Sequence, residues 1–149
     1  MNLHKPFLNI LSDAKTGTIS NMLVELGLIQ KGVSEIIFDE ASARVFEEIC
    51  YTVDFLEKNN FVTSAPTPVS YPHISLTSSA RAASQTEYLQ NLLEKHYGKH
   101  LIATPEFTVF AEHGYQVPAV RNREYKTLLL FIKTIVFAVI TTLLNKLLL

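Results

Sequence analysis

The chain lacks tryptophan and has one cysteine, five glycines and six prolines in 149 residues. A single cysteine cannot form an internal disulfide, and no Cys-x-x-Cys or Cys/His zinc spacing is present, so a reducing compartment is the expected setting. So little glycine and proline excludes collagen-like and low-complexity sequence, and nine Phe with six Tyr can fill a core without Trp. Catalytic signatures are missing too. There is no Gly-x-Ser-x-Gly elbow, no P-loop and no Gly-x-Gly-x-x-Gly; Gly17, Gly27, Gly32, Gly98 and Gly114 stand alone. Glu47 and Glu48 are adjacent and point about 100° apart on a helix, unlike a convergent acid/base pair. The expectation is a protein that is not an enzyme and uses no cofactor.

The five histidines raise the question of a metal, since His96 and His100 are spaced i, i+4 with Glu94 close by and His113 further on. Gly98 should end the helix before His100, and there is neither His-Glu-x-x-His nor a thiolate pair, so no metal site is expected. Cys50 lies beside Phe46, Ile49 and Val53 with no basic neighbour in sequence, which reads as a buried structural thiol.

Charge is scarce in total but uneven. Residues 1–120 carry eight Lys/Arg against thirteen Asp/Glu, whereas residues 121–149 carry five Lys/Arg and one acid, Glu124. The body is acidic and the tail basic. That tail also holds most of the surplus hydrophobicity: after Arg121, Arg123 and Lys126 come Leu128 to Leu144, interrupted only by Lys133, then Asn145, Lys146 and three leucines. A helix from Leu128 to Leu149 would be roughly 33 Å long, close to the roughly 30 Å hydrocarbon thickness of a bilayer. Buried in a soluble fold it would be apolar nearly all round, and a body of 120 residues has little room to surround it. Lys133 lies near the basic flank and can snorkel toward it. A single-pass span is expected, with the flank Arg121, Arg123, Lys126 and Lys133 holding the N-terminal body in the cytoplasm. Met1 to Ser20 contains Pro6, Asp13 and Lys15 and no uninterrupted apolar run, so the pattern is that of a tail-anchored protein. Thr134, Ala138, Thr141 and Asn145 fall at i, i+4, i+7 and i+11, a stripe of small and polar groups along which tails could form a homo-oligomer. The competing reading is a monomeric anchor whose threonines bond their own i−4 carbonyls.

Within the body, Leu3, Phe7, Ile10 and Leu11 predict a first helix that breaks at Asp13 to Gly17. Thr18 offers the N-cap of a second helix that Gly27 ends. Val33, Ile36, Ile37 and Phe38 suggest a short strand. Asp39 caps a long third helix through Val45, Phe46, Ile49, Val53 and Leu56, ended by Asn59 and Asn60. Phe61 to Ser64 and Ile74 to Thr77 read as strands, with Pro66, Pro68 and Pro72 in a projecting loop between them. Ser84 and Glu87 form a capping box for a helix closed by Gly98, and Thr104 with Pro105 opens another that Gly114 stops. Asp54-Phe55-Leu56-Glu57-Lys58-Asn59-Asn60-Phe61-Val62, followed by Ile74-Ser75-Leu76-Thr77-Ser78-Ser79-Ala80-Arg81, resembles the end of the recognition helix, the two wing strands and the Leu-Thr-x-x-Gly/Ala-Arg exit of winged helix-turn-helix domains. The resemblance covers roughly residues 1–83 and implies a winged-helix-like domain there. With a short helical extension (84–120), then the basic flank and C-terminal transmembrane helix (121–149), the expected class is mainly α (α+β).

A winged helix implies nucleic-acid binding, but here charge opposes it. The third helix carries Asp39, Glu40, Glu47, Glu48, Asp54 and Glu57 against Arg44 and Lys58, and Thr63 to His73 contains no Lys or Arg. Affinity for DNA comes largely from cations that neutralise phosphates. The expected role is therefore a protein-interaction adaptor or sensor that engages a protein partner through residues 1–120 at a membrane. Two alternatives stay open: a membrane-acting effector whose tails assemble and perturb the bilayer, and a membrane-tethered DNA-binding regulator. The charge argument predicts that the protein binds duplex DNA no better than a generic acidic protein at physiological salt. A salt-sensitive, sub-micromolar complex in an anisotropy titration would overturn it.

Overall fold

The computed structural model describes residues 2–77 and 82–147, and all of their side chains except those of 82, 83, 118–122, 144, 145 and 147. The chain divides into two compact units, Met1–Ala111 and Glu112–Leu149. The first is a mixed α+β body and the second is dominated by one long helix.

Local chemistry places the starts and stops. Helix α1 (Lys5–Ala14) opens where His4 Nδ1 accepts the Phe7 N–H at 3.2 Å, with Pro6 in the first turn where no intrahelical donor is required. Lys15, left-handed at φ +63°, sends its N–H to the Leu11 carbonyl and ends the helix. The chain passes straight into β1 (Thr16–Thr18), and Thr18 caps α2 (Ile19–Glu25) by accepting the Asn21 N–H. Gly27, at φ +70°, takes the left-handed turn that closes α2. After β2 (Glu35–Phe38), Asp39 Oδ1 accepts the Ser42 N–H at 2.7 Å and starts α3 (Glu40–Lys58). Thr18, Gly27 and Asp39 are the cap and stop residues that the sequence predicts, whereas the His4 cap of α1 is not among them.

Helix α3 is the spine of the body. Ala43, Phe46, Ile49, Cys50, Val53 and Leu56 recur at helical spacing and are all buried. Phe7, Leu8 and Leu11 of α1, Ile19 and Leu23 of α2, and Phe107 of α5 (Pro105–Glu112) are buried in the same unit, as are Leu89 and Leu93 of α4 (Ala82–His96). Each buried Leu, Ile, Val or Phe among them contributes about 1.5–3 kcal/mol by leaving water.

The sheets depart from the expected wing. Strand β3 (Val62–Pro66) and strand β4 (His73–Leu76) exist but do not pair with each other. β3 pairs antiparallel with β5 (Lys99–Ala103), Val62 opposite Ala103 and Pro66 opposite Lys99, and β5 pairs on its other side with β1, giving the order β1-β5-β3. β4 joins β2 in a separate parallel pair, Glu35 opposite His73 and Phe38 opposite Leu76. The physical reason lies at the end of β3. The Thr67 N–H and hydroxyl both donate to the Gly98 carbonyl, at 2.8 and 2.5 Å, tying the start of the proline-rich loop to the junction of α4 and β5. A Cβ on Gly98 would lie 2.8 Å from Val69 Cγ2 and 3.2 Å from the Thr67 carbonyl oxygen, so this approach needs glycine.

One further expectation is corrected. Ser84 and Glu87 lie inside α4, which begins at Ala82, so they do not form its cap. Residue 83 lies within the first unit, in which β5 is the central strand of the larger sheet. Residues 78–81 of the winged-helix-like exit lie outside the described residues.

Gln90 of α4 closes the far edge of β4. Its Oε1 accepts the Ile74 N–H at 2.9 Å and its Nε2 donates to the Pro72 carbonyl at 3.3 Å, so one side-chain amide stands in for a neighbouring strand. Replacement of Gln90 by Leu should cost about 1–3 kcal/mol by leaving both groups partly buried and unpaired. Amide hydrogen exchange at Ile74 should accelerate in that variant, and an unchanged rate would show that the edge is protected by something else.

Candidate functional site

Two regions gather chemistry. The first is α6 (Pro118–Leu147), a 30-residue helix. Its segment Arg123–Leu143 is long and apolar enough to cross a membrane, and none of it is buried within the protein. Phe131, Phe137 and Ile140 are about half exposed or more. The helix begins at Pro118, ahead of the apolar run, so the basic flank is helical. Arg123, Lys126 and Lys133 are exposed on it; the side chains of Arg121 and Asn145 are outside the described part. Thr134, Ala138 and Thr141 share a face of α6 and are exposed. Each hydroxyl is already used: Thr134 donates to the Leu130 carbonyl at 3.0 Å and Thr141 to the Phe137 carbonyl at 2.8 Å. This is the i−4 bonding of a self-sufficient helix, which needs no second helix to satisfy those hydroxyls.

The second region is the seam between α3 and α4, where titratable groups far apart in sequence converge. Lys95 Nζ lies 2.9 and 3.0 Å from the two oxygens of Asp54, and Lys99 Nζ lies 2.9 and 2.8 Å from those of Glu57. Burial by itself would raise the Glu57 pKa, but bonds from Lys99 and Ser64 outweigh it and hold the carboxyl below its ordinary range. Cys50 is 2% exposed; burial first, and then the neighbouring Asp54 charge, push its thiol up to about 12. It is therefore a thiol at neutral pH, with little nucleophilic character.

His96 is the outlier of this seam. It is fully buried, and neither ring nitrogen has a hydrogen-bond partner. Nε2 lies 3.5 Å from Asp54 Oδ1 without bonding it, and the same carboxylate is held by Lys95. Burial lowers the imidazole pKa to about 4. His100 does not join it: that ring sits on β5 and its Nε2 makes a 2.7 Å hydrogen bond with the Thr16 hydroxyl oxygen on β1. His113 is exposed, and among the described residues no three His, Cys, Asp or Glu side chains converge as a metal site.

The Asp54–Lys95 and Glu57–Lys99 pairs were not readable in the sequence, because partners 41 and 42 residues apart carry no local signature. His96 did carry one, an apolar helical face with Leu89 and Leu93.

The described residues thus define a mixed α+β body followed by a helix apolar enough to span a bilayer. Comparison with known proteins adds no relative: no family model, no curated protein and no solved structure matches this chain.

The geometry around His96 sets a pH dependence. The folded protein resists protonating this ring until about pH 4, whereas the unfolded chain takes up the proton near 6.5. Stability contributed by the neutral ring is complete above pH 6.5 and is lost as pH falls from there toward 4. Asp54 and Glu57 favour the proton, and Lys95 and Lys99 oppose it. Thermal unfolding of the protein should therefore show a steeper fall in Tm between pH 6.5 and 4 than His96→Leu shows. Equal slopes would mean that the ring is not the group responsible.

Proposed function

We propose that the chain is a tail-anchored membrane protein whose N-terminal body faces the cytoplasm and recruits or senses a protein partner. The observation that carries this reading is α6. A segment of 21 residues, Arg123–Leu143, with no part buried in the protein, would expose an apolar surface far larger than a monomer keeps in water. A bilayer is the solvent such a helix suits, and its backbone groups are bonded internally as that solvent requires. Arg123, Lys126 and Lys133 near one end against Lys146 near the other favour the body on the cytoplasmic side.

The body is read as a winged-helix-like scaffold put to protein contact. The order helix, helix, helix, strand, strand fits α1, α2, α3, β3 and β5, with β5 in the role first assigned to β4. On that reading β2, β4 and α4 are additions to the scaffold. The acidic α3, with Glu47 and Glu48 half-buried and Arg44 paired with Glu40, disfavours a phosphate backbone and suits a protein partner.

The full chain should stay in the membrane pellet after alkaline carbonate extraction, and loss of residues 121–149 should release it. Protease added to spheroplasts should leave the body intact, and added to inverted vesicles should digest it. Carbonate release of the intact chain would sink the anchor, and digestion in spheroplasts would reverse the orientation.

A further inference from the structure

The small sheet of β2 and β4 has one closed edge and one open one. In the parallel register the carbonyls of Ser34 and Phe38 accept from His73 and Thr77, so the even-numbered residues of β2 bond toward β4. Alternation then turns the N–H and C=O of Glu35 and Ile37 to the opposite side. No hydrogen bond from the described residues reaches those four groups. The contrast with β4 is direct, since its outer edge is occupied by the Gln90 amide.

A cleft runs along the open side. It encloses about 330 Å³, and its wall includes Leu28, Ile29, Gln30, Val33, Glu35 and Ile37, with no contribution from β4. Ile37 is 64% exposed in a strand whose other large apolar residues, Ile36 and Phe38, are buried. Free backbone groups beside a recess of mixed character, with Leu28, Ile29 and Val33 in its wall, are what an added strand requires: main-chain bonds hold it, and the apolar part of the recess selects one of its side chains.

Charge decides which strand. Glu35 borders the cleft, and Asp39 and Glu40 follow directly, against Lys31 and an Arg44 that already lies 3.8 Å from Glu40. A second copy pairing through the same edge would bring these carboxylates against themselves, which disfavours it. An extended segment carrying Lys or Arg complements them.

We infer that the open edge of β2 captures an extended, basic segment of a partner protein as an additional strand, with one apolar side chain of that segment seated in the cleft. This rests on the adaptor reading and states the chemistry of the partner. The edge is a means of recognition independent of sequence motifs on α3, and it belongs to the part of the body added to the winged-helix-like scaffold.

The test uses the full chain in nanodiscs of phosphatidylcholine, a lipid without net charge, so that a basic probe is not drawn to the bilayer. The probe is a fluorescein-labelled nonapeptide alternating Lys and Val, with the Glu and Val counterpart as control. Binding of the basic peptide in the micromolar range is expected, with at least tenfold weaker binding of the acidic one. Ile37→Pro removes an outward donor without touching the bonds to β4, and Ile37→Lys adds a like charge at the edge without any backbone change. Each should weaken the basic peptide at least tenfold, while circular dichroism stays unchanged for Ile37→Lys. Amide exchange at residues 35 and 37 should slow on binding. Equal affinity in Ile37→Lys and wild type, equal binding of the two peptides, or no binding at 1 mM would overturn the proposal. Self-association of the peptide-free protein that Ile37→Lys abolishes would overturn it in favour of a second copy. The adaptor reading is scored separately, by cross-linking in cells. A partner held equally by wild type and Ile37→Lys leaves that reading standing and overturns the edge.

Discussion

The body depends on one constraint, the need of α3 to bury its apolar stripe. A 19-residue helix with six buried apolar residues along one side has to be covered along its length. No single neighbour does it: residues of α1, α2, α4 and α5 join those of α3 in the buried set. Since α4 belongs to this set, the long excursion between β3 and β5 is held as part of the body. The position of β5 follows, because it begins three residues after α4 ends.

On the solvent side of the same contact, charge does a different job. Asp54 and Glu57, one turn apart on α3, each meet a lysine from the far end of α4 or the start of β5. Such partly exposed pairs add little stability one by one. Their value here is positional, since two carboxylate–lysine pairs fix which turn of α3 lies beside His96. The buried imidazole goes against the usual pairing of buried polar groups, since both of its ring nitrogens are unbonded. A leucine would satisfy the packing, so the pH response is the measurable consequence of a histidine there.

The two halves of the molecule solve opposite solvent problems. In the body, apolar residues are taken from water and the polar edge of β4 is closed by a glutamine. In α6, backbone groups and threonine hydroxyls are satisfied within the helix and apolar side chains are left outward. The outer edge of β2 departs from this in the body, with backbone groups that no described residue bonds beside an exposed isoleucine. An exposed edge of this kind invites association unless charge guards it, and Glu35, Asp39 and Glu40 restrict which strands it accepts.

How much of this was legible in the sequence follows from the range of the forces involved. Caps and stops act over three or four residues, so Thr18, Asp39, Gly27 and the asparagines after α3 marked their helices correctly. The apolar helix was plain for the same reason, its length and composition being local properties. Ser84 misled, because a capping box is only a local option, and α4 begins two residues earlier. The wing misled more deeply. Phe61 to Ser64 and Ile74 to Thr77 have strand character, yet strand character does not name a partner. β3 found β5 and β4 found β2 because Thr67 is tied to Gly98 and α4 packs on α3, contacts that span tens of residues. Lys99–Ala103, five residues without clear alternation, could not be recognised as the central strand of a sheet until its two neighbours were in place. The sequence alone therefore determined the helices, the ends marked by Thr18, Gly27, Asp39 and Asn59, and the apolar tail; pairing, register, the salt-bridged seam and the open edge were decided only by tertiary packing, where burial outweighs local preference.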